Sequence, residues 1–411
     1  MVDEVLNDTA STQKRLRKIP ARVVVYLLLA AGLFPCCGWL GVWRKLTAGL
    51  GCVAQPVASA LFYARRRVGV APMRALFRLL AQPGTAVARW RGLVVCALDG
   101  TSVTVADTAV NRAAFGRRRD NQMGAGGYPH ARLVALVACG SRMLLGAVFG
   151  TYARGESTWA RDLVEVMGPG QLVVADRGFA VADLIERIAA TGAQVLVRVK
   201  DNRRLPAVKR LPDGTSIVVV GGIRVRLVEA RLTITSPAGR RTSAYRLITT
   251  LTDAHHYPAS DIMAVYHQRW EIETAYGELK SGLLTGRVLR ARDPAGVDQE
   301  MWSLLCLYQA LRTAIDNAVT GTGLTPLQTR FTLARETARD QLIRAAGIIA
   351  DETTDLKGRI GRSILDNPQP ARRQRTAPRV TKRALSKHRA QGHINHHTYQ
   401  THLDTTITAS P

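Results

Sequence analysis

The chain has 411 residues, 46% of them hydrophobic and 6% aromatic, with 57 Lys and Arg against 31 Asp and Glu for a formal charge of +26. That length and composition fit a folded α/β protein of two or three domains. The positive field attracts polyanions, nucleic acid first, with an anionic membrane surface or plain solubility as the blander readings.

Residues 1–18 are polar and read as a flexible N-terminus. From Pro20 to about Ala81 apolar runs at helical spacing alternate with Arg and Lys, broken by Pro35, Gly38, Pro56 and Pro72. We read residues 19–90 as a helical N-terminal DNA-binding domain, or as a plain helical cap on the core. The apolar run Val23 to Phe34 is too short to span a bilayer and carries no signal-peptide cleavage site. None of the six cysteines sits in a CxxC or zinc spacing, which suits a reduced, cytoplasmic protein.

At Leu93 the pattern changes. Leu93 to Leu98 is a short apolar run that reads as a buried strand, ending at Asp99-Gly100-Thr101, with Ser102 to Ala106 as the next strand of a hairpin. An Arg- and Gly-rich loop (Gly116 to Gly127) follows, then strands Arg132 to Cys139 and Met143 to Phe149. Thr158 to Met167 reads as a helix, Gln171 to Ala175 as a buried strand ending at Asp176, Ala180 to Ala190 as a helix and Gln194 to Val199 as a strand. Residues 91–200 are therefore the first part of an α/β core. Residues 201–255 are a β-rich insertion and residues 256–350 bring further helices, Val297 to Val319 and Thr325 to Ala346. Residues 351–411 are basic, with eight cations from Arg372 to Arg389 and no acid among them, and read as a disordered tail.

The chemistry collects at three places. Asp99 and Asp176 each close an apolar strand, and a nearby glycine lets the backbone turn and expose the carboxylate. A lone Asp-Gly is usually only a turn. The third place is Tyr266 to Lys280. Placed on a helix capped by Ser260 or Asp261 at about 100° per residue, Tyr266, Arg269, Glu273 and Lys280 share one stripe, while Glu271 and Glu278 point to the other side. Arg269 and Glu273 make an i, i+4 pair, so a merely salt-bridged helix is one reading. The other is a carboxylate that holds a metal, flanked by donors for phosphate. Three converging acids repel unless a cation lies between them, and hard cations such as Mg2+ or Mn2+ take oxygen ligands and often work in pairs on phosphodiesters.

Leu98-Asp99-Gly100-Thr101, Val174-Ala175-Asp176-Arg177-Gly178-Phe179 and Tyr266-x2-Arg269-x3-Glu273-x6-Lys280 resemble the motifs of the DDE transposases of the insertion-sequence-four family, the last being its Tyr-Arg-Glu-Lys signature with the spacing intact. The resemblance covers about residues 20–345. It implies an α/β fold with a ribonuclease H-like catalytic core, a helical N-terminal domain and a β-rich insertion. It implies that Asp99, Asp176 and Glu273 bind two divalent metal ions, Mg2+ or Mn2+. Tyr266, Arg269 and Lys280 would hold the DNA backbone, with Arg177, Arg198 and Lys200 as further basic positions or simply solvated charges. The reaction would be in-line displacement at phosphorus by water or a DNA 3′-hydroxyl, on terminal inverted repeats and then target DNA, by a homodimer in the bacterial cytoplasm. Nothing implies a membrane partner or, without a P-loop, a nucleoside triphosphate. A ribonuclease H-like nuclease that cuts without joining, or a domesticated DNA-binding protein, are the competing readings, the intact acid triad weighing against the second. Hairpin-forming members carry a Trp late in the insertion that stacks on a flipped base. Here the insertion has no Trp, and Tyr245 stands at the matching position, either to stack on a base or as an ordinary sheet residue.

Overall fold

The computed structural model describes the chain apart from residues 14, 16, 49–53, 118–126, 237–238, 346–355, 370–401 and 409–411. Most of the Arg-rich loop after Gly116 and the whole cation run from Arg372 to Arg389 lie outside the described residues.

Residues 1–18, expected to be flexible, include a helix, α1 (Val2–Asp8), because Val5 and Leu6 bury against the core. The region after Pro20 is helical, as expected, in α2 (Ala21–Leu33), α3 (Trp39–Thr47), α4 (Ala58–Val68) and α5 (Ala71–Leu80). Helix α4 shows why. Leu61, Ala64 and Val68 line its buried side, and Arg65, Arg66 and Arg67 occupy its last turn, where cations complement the helix dipole. Gly69 then ends it in a left-handed conformation (φ 71°).

The core follows as β1 (Arg89–Trp90), β2 (Leu93–Thr104), α6 (Ala109–Phe115), β3 (His130–Ala138), β4 (Met143–Thr151), α7 (Glu156–Ala160), β5 (Gln171–Ala175), α8 (Ala182–Ala190) and β6 (Gln194–Arg198). Its main strands lie in the order β4-β3-β2-β5-β6, with β5 parallel to both β2 and β6 and the other pairs antiparallel. Numbered by appearance, that order is 3-2-1-4-5, the ribonuclease H-like arrangement. Val95 and Ala97 face one apolar layer and Val94, Cys96 and Leu98 the other, so β2 is covered on both sides and reads as a continuous apolar run.

Two expectations are corrected here. Leu93 to Ala106 is no hairpin: β2 runs straight through Asp99-Gly100-Thr101, because β3 pairs with it residue for residue from Cys96↔Ala138 to Thr104↔His130. The expected helix from Thr158 is short, with α7 passing into a 3-10 turn over Arg161–Val166. The β-rich insertion is continuous with the core sheet. Strands β7 (Lys209–Arg210), β8 (Ser216–Val220), β9 (Ile223–Ser236) and β10 (Gly239–Thr249) extend the same sheet, joined through Leu247↔Arg198 and Ile248↔Val197.

The signature segment is not one regular helix either. It comprises α9 (Ala259–Tyr266), a 3-10 turn (His267–Arg269), α10 (Trp270–Gly277) and a π-helical turn (Glu278–Leu283). Pro258 stands at its N-cap without a side-chain cap, and Asp261 accepts instead from Arg91 at 2.5 Å. Next comes α11 (Pro294–Val319), which Asp293 caps by accepting from Gly296 N at 3.0 Å. It is the long central helix on which α2 and α5 pack.

The C-terminal region departs from the expected disorder. After α12 (Phe331–Ala345), α13 (Leu356–Leu365) packs on α11 and α12 with Ile364 buried. A last strand, β11 (His402–Ile407), lies antiparallel on β9, from His402↔Thr235 to Ile407↔Ala230. It takes the part of the β9 edge that β8 leaves open beyond Leu227, and an unpaired edge is where a strand adds.

Candidate active site

Strands β2 and β5 are parallel neighbours in register, with Leu98 opposite Ala175. Asp99 and Asp176 are the next residue on each, so the two acids stand side by side on adjacent strands. Asp99 Oδ1 accepts from Gly100 N at 2.8 Å, and Asp176 Oδ1 accepts from Gly178 N at 2.7 Å, capping the turn Arg177–Phe179. A Cβ on Gly178 would lie 3.0 Å from that same Oδ1, which suits glycine there.

Glu273 arrives from α10. Arg269 Nη1 lies 3.4 Å from Asp99 Oδ2 and its Nη2 lies 3.3 Å from Glu273 Oε1. One guanidinium thus spans the carboxylates of strand and helix. Burial pushes the Asp99 carboxyl up to about 7, with Asp176 and Glu156 adding to the rise while the Gly100 N–H and Arg269 oppose it.

The other expected residues surround this edge. Tyr266 is nearly buried, its phenol pushed up to about 12 by that burial. Lys280 Nζ donates to Thr101 Oγ1 at 3.3 Å, and desolvation lowers its pKa. Arg177 and Lys200 are exposed. Arg198 lies over the Tyr245 ring at 4.1 Å, with its Nε buried and without a hydrogen-bond partner.

Glu271 and Glu278 do point the other way, into a buried ionic cluster that the sequence reading missed. Arg142 donates to Glu271 at 2.6 Å and to Glu278 at 3.1 Å, and Arg312 of α11 pairs with Glu278. Three more residues were missed. Glu156 of α7 packs against Gly100, where a Cβ would come within 2.5 Å of its Cδ. Trp270, beside Arg269, is 48% exposed. Tyr276, one turn after Glu273, is buried. The sequence does show a tryptophan next to the signature arginine, though not that it faces water; the partners of Arg142, Arg312 and Tyr276 are distant in the chain and leave no signal.

Among the described residues no group of three or more His, Cys, Asp or Glu is close enough to hold a metal ion, and Arg269 fills the gap between Asp99 and Glu273. The donors are nevertheless all carboxylate oxygens, one of them poorly solvated, which is a set for hard divalent cations.

Residues 90–310, over half the chain, match the family model described as Transposase DDE domain, and residues 1–78 match that of the Insertion element 4 transposase N-terminal region. The chain belongs to the DDE transposases of the IS4 family. This transposase is 27% identical over 403 residues to "Transposase InsG for insertion sequence element IS4" of Escherichia coli (strain K12), covering 93% of this chain and 89% of the relative. It is 29% identical over 194 residues to "Putative transposase InsZ" of the same organism, covering 45% of this chain and 62% of the relative. Among solved structures, the piggyBac transposase synaptic complex with hairpin DNA aligns over 89% of this chain and 82% of that one, at TM-score 0.45 and 11% identity. The transposase is an enzyme that acts on DNA, and no helix among its described residues is long and apolar enough to cross a membrane.

Proposed function

We propose that the transposase cuts and joins the ends of its own insertion sequence at the edge that carries Asp99 and Asp176, to which Arg269 links Glu273. The observation that carries this reading is the Arg269 bridge between Asp99 and Glu273 beside Asp176. A largely buried guanidinium pairing loosely with two carboxylates marks a place built for positive charge.

Asp99, Asp176 and Glu273 would hold two divalent cations, Mg2+ or Mn2+, which when bound supply positive charge to the reacting phosphate and acidify the attacking hydroxyl. The chain's own residues do the rest. Arg269, freed from its carboxylates, and Lys280 offer positive charge to the DNA backbone, and Arg177, Arg198 and Lys200 extend that surface. Tyr266, expected to hold the DNA backbone, is instead buried beside Arg269 and would support that guanidinium. These groups orient the phosphodiester for in-line attack by water and then by the liberated 3′-hydroxyl.

The N-terminal helices would bind the terminal inverted repeats. From Thr9 to Leu98 the sequence contains no Asp or Glu, and α4 turns Phe62, Tyr63, Arg66 and Arg67 to solvent. Phosphate contacts from such a surface give affinity that falls with salt. A homodimer would synapse the two ends.

The test is cleavage and joining of DNA carrying the element's ends by the purified transposase with Mg2+. Asp99→Asn, Asp176→Asn and Glu273→Gln should each lose at least about 100-fold in rate while keeping end binding. Near-normal cleavage by any of the three would refute its place in the site. Cleavage without joining by the wild type would favour the plain nuclease.

A further inference from the structure

The hydroxyl of Tyr276 accepts a hydrogen bond from Ala135 N at 3.1 Å and donates one to the Asp99 carbonyl at 2.6 Å. Ala135 and Asp99 face each other across the β2–β3 ladder. The phenol of α10 therefore enters the sheet's hydrogen bonding at the residue that carries the first carboxylate. Tyr276 follows Glu273 by three residues, about one helical turn.

We infer that Tyr276 is a positioning residue that sets the spacing between Asp99 and Glu273. The inference rests on the reading of these two as metal ligands. Arg269 also links them, but through contacts of 3.3–3.4 Å made by the very oxygens a cation would take, so that link is lost as the site fills. The Tyr276 link uses the Asp99 main chain and not its carboxylate. It is only 7% exposed and persists whatever occupies the site. Phe would fill the same core volume, so the hydroxyl is the part that ties helix to strand. Groups that orient metal ligands in this way typically alter metal affinity or activity by about 10- to 100-fold when removed.

The experiment compares wild type with Tyr276→Phe by Mn2+ titration, by the Mg2+ concentration that half-saturates cleavage, and by binding to end DNA without metal. All are measured where the variant's circular dichroism matches wild type. The expected result is Mn2+ affinity about tenfold weaker or worse, a parallel rise in the half-saturating Mg2+, and unchanged end binding. Wild-type Mn2+ affinity and Mg2+ dependence in Tyr276→Phe overturn the inference even if its melting temperature falls. Should that variant not fold, p-aminophenylalanine at position 276, which keeps a donor toward the Asp99 carbonyl, is compared with p-methylphenylalanine, which does not. Equal Mn2+ affinity for that pair also overturns it. Glu273→Gln separates the two readings: if it binds Mn2+ as wild type does, the metal site itself is misassigned, whereas its loss beside a normal Tyr276→Phe removes only the positioning role.

Discussion

Arg142 Nε donates to Glu271 Oε2 at 2.6 Å, and both side chains are largely shielded from water. Arg142 sits in the β3–β4 turn in a left-handed conformation (φ 58°), strain that persists only where surrounding contacts over-determine it. Its second carboxylate, Glu278, also pairs with the fully buried Arg312 and accepts from Tyr308 at 3.0 Å. The face of the signature helix turned away from the carboxylate edge is thus pinned to a sheet turn and to α11.

Removing one member of this cluster should cost stability rather than chemistry. Glu278→Ala leaves two buried guanidinium groups short of charge and should destabilise by about 3–5 kcal/mol. Glu271→Ala, which leaves Arg142 its Glu278 partner, should cost less, and both should cleave DNA when folded. Urea unfolding and single-turnover cleavage on the same samples check this. A stable but inactive Glu271→Ala would show that the wrong helix face was assigned to the site. Glu278→Ala, on helix geometry alone a neutral control, is no such thing in the folded chain.

The raised pKa of Asp99 predicts a pH dependence in metal-free protein. The folded state holds this proton more tightly than the unfolded one, so the group's contribution to stability is fully present below the ordinary 3.8 and is lost as pH rises through about 7. Asp99→Asn should flatten the fall of melting temperature across that window. An unchanged slope would mean that Asp99 ionises normally in the fold.

The C-terminal region divides into a structural and a basic part. A stop after residue 355 removes α13 with buried Ile364 and should lower stability by about 2–5 kcal/mol. A stop after residue 369 keeps α13 but removes the Arg-rich run and β11. It should spare cleavage at low salt, weaken DNA binding with a shallower salt slope, and expose the β9 edge to self-association. Thermal melts, salt-dependent binding and light scattering distinguish the two truncations. Equal melting temperatures would show that α13 adds nothing to the fold.

Tyr245 offers a ring to a flipped base only if Arg198, now over it at 4.1 Å, moves aside or keeps to one face. On a pre-nicked end, Tyr245→Ala should nick normally and lose hairpin product, and Tyr245→Trp should keep it, since base stacking supplies roughly 1–3 kcal/mol. Equal hairpin yield from the Ala variant, or none from wild type, removes this role and leaves the carboxylate site untouched.

Legible from the residues alone were the helical character of residues 20–81, the apolar strands Leu93 to Leu98 and Gln171 to Ala175, and the divided faces of the signature segment. Those features are local: a strand buried on both sides must be apolar, and residues three or four apart on a helix share a side. The family motifs were legible for the same reason. Tertiary structure decided what depends on distant partners. Asp99-Gly100 became part of a strand because β3 pairs across it. The insertion joined the core sheet because β10 found β6, and residues 402–407 became a strand because β9 had an open edge. Arg142, Arg312 and Tyr276 took their places through hydrogen bonds spanning 34 to 177 residues, and only a folded chain brings such partners together.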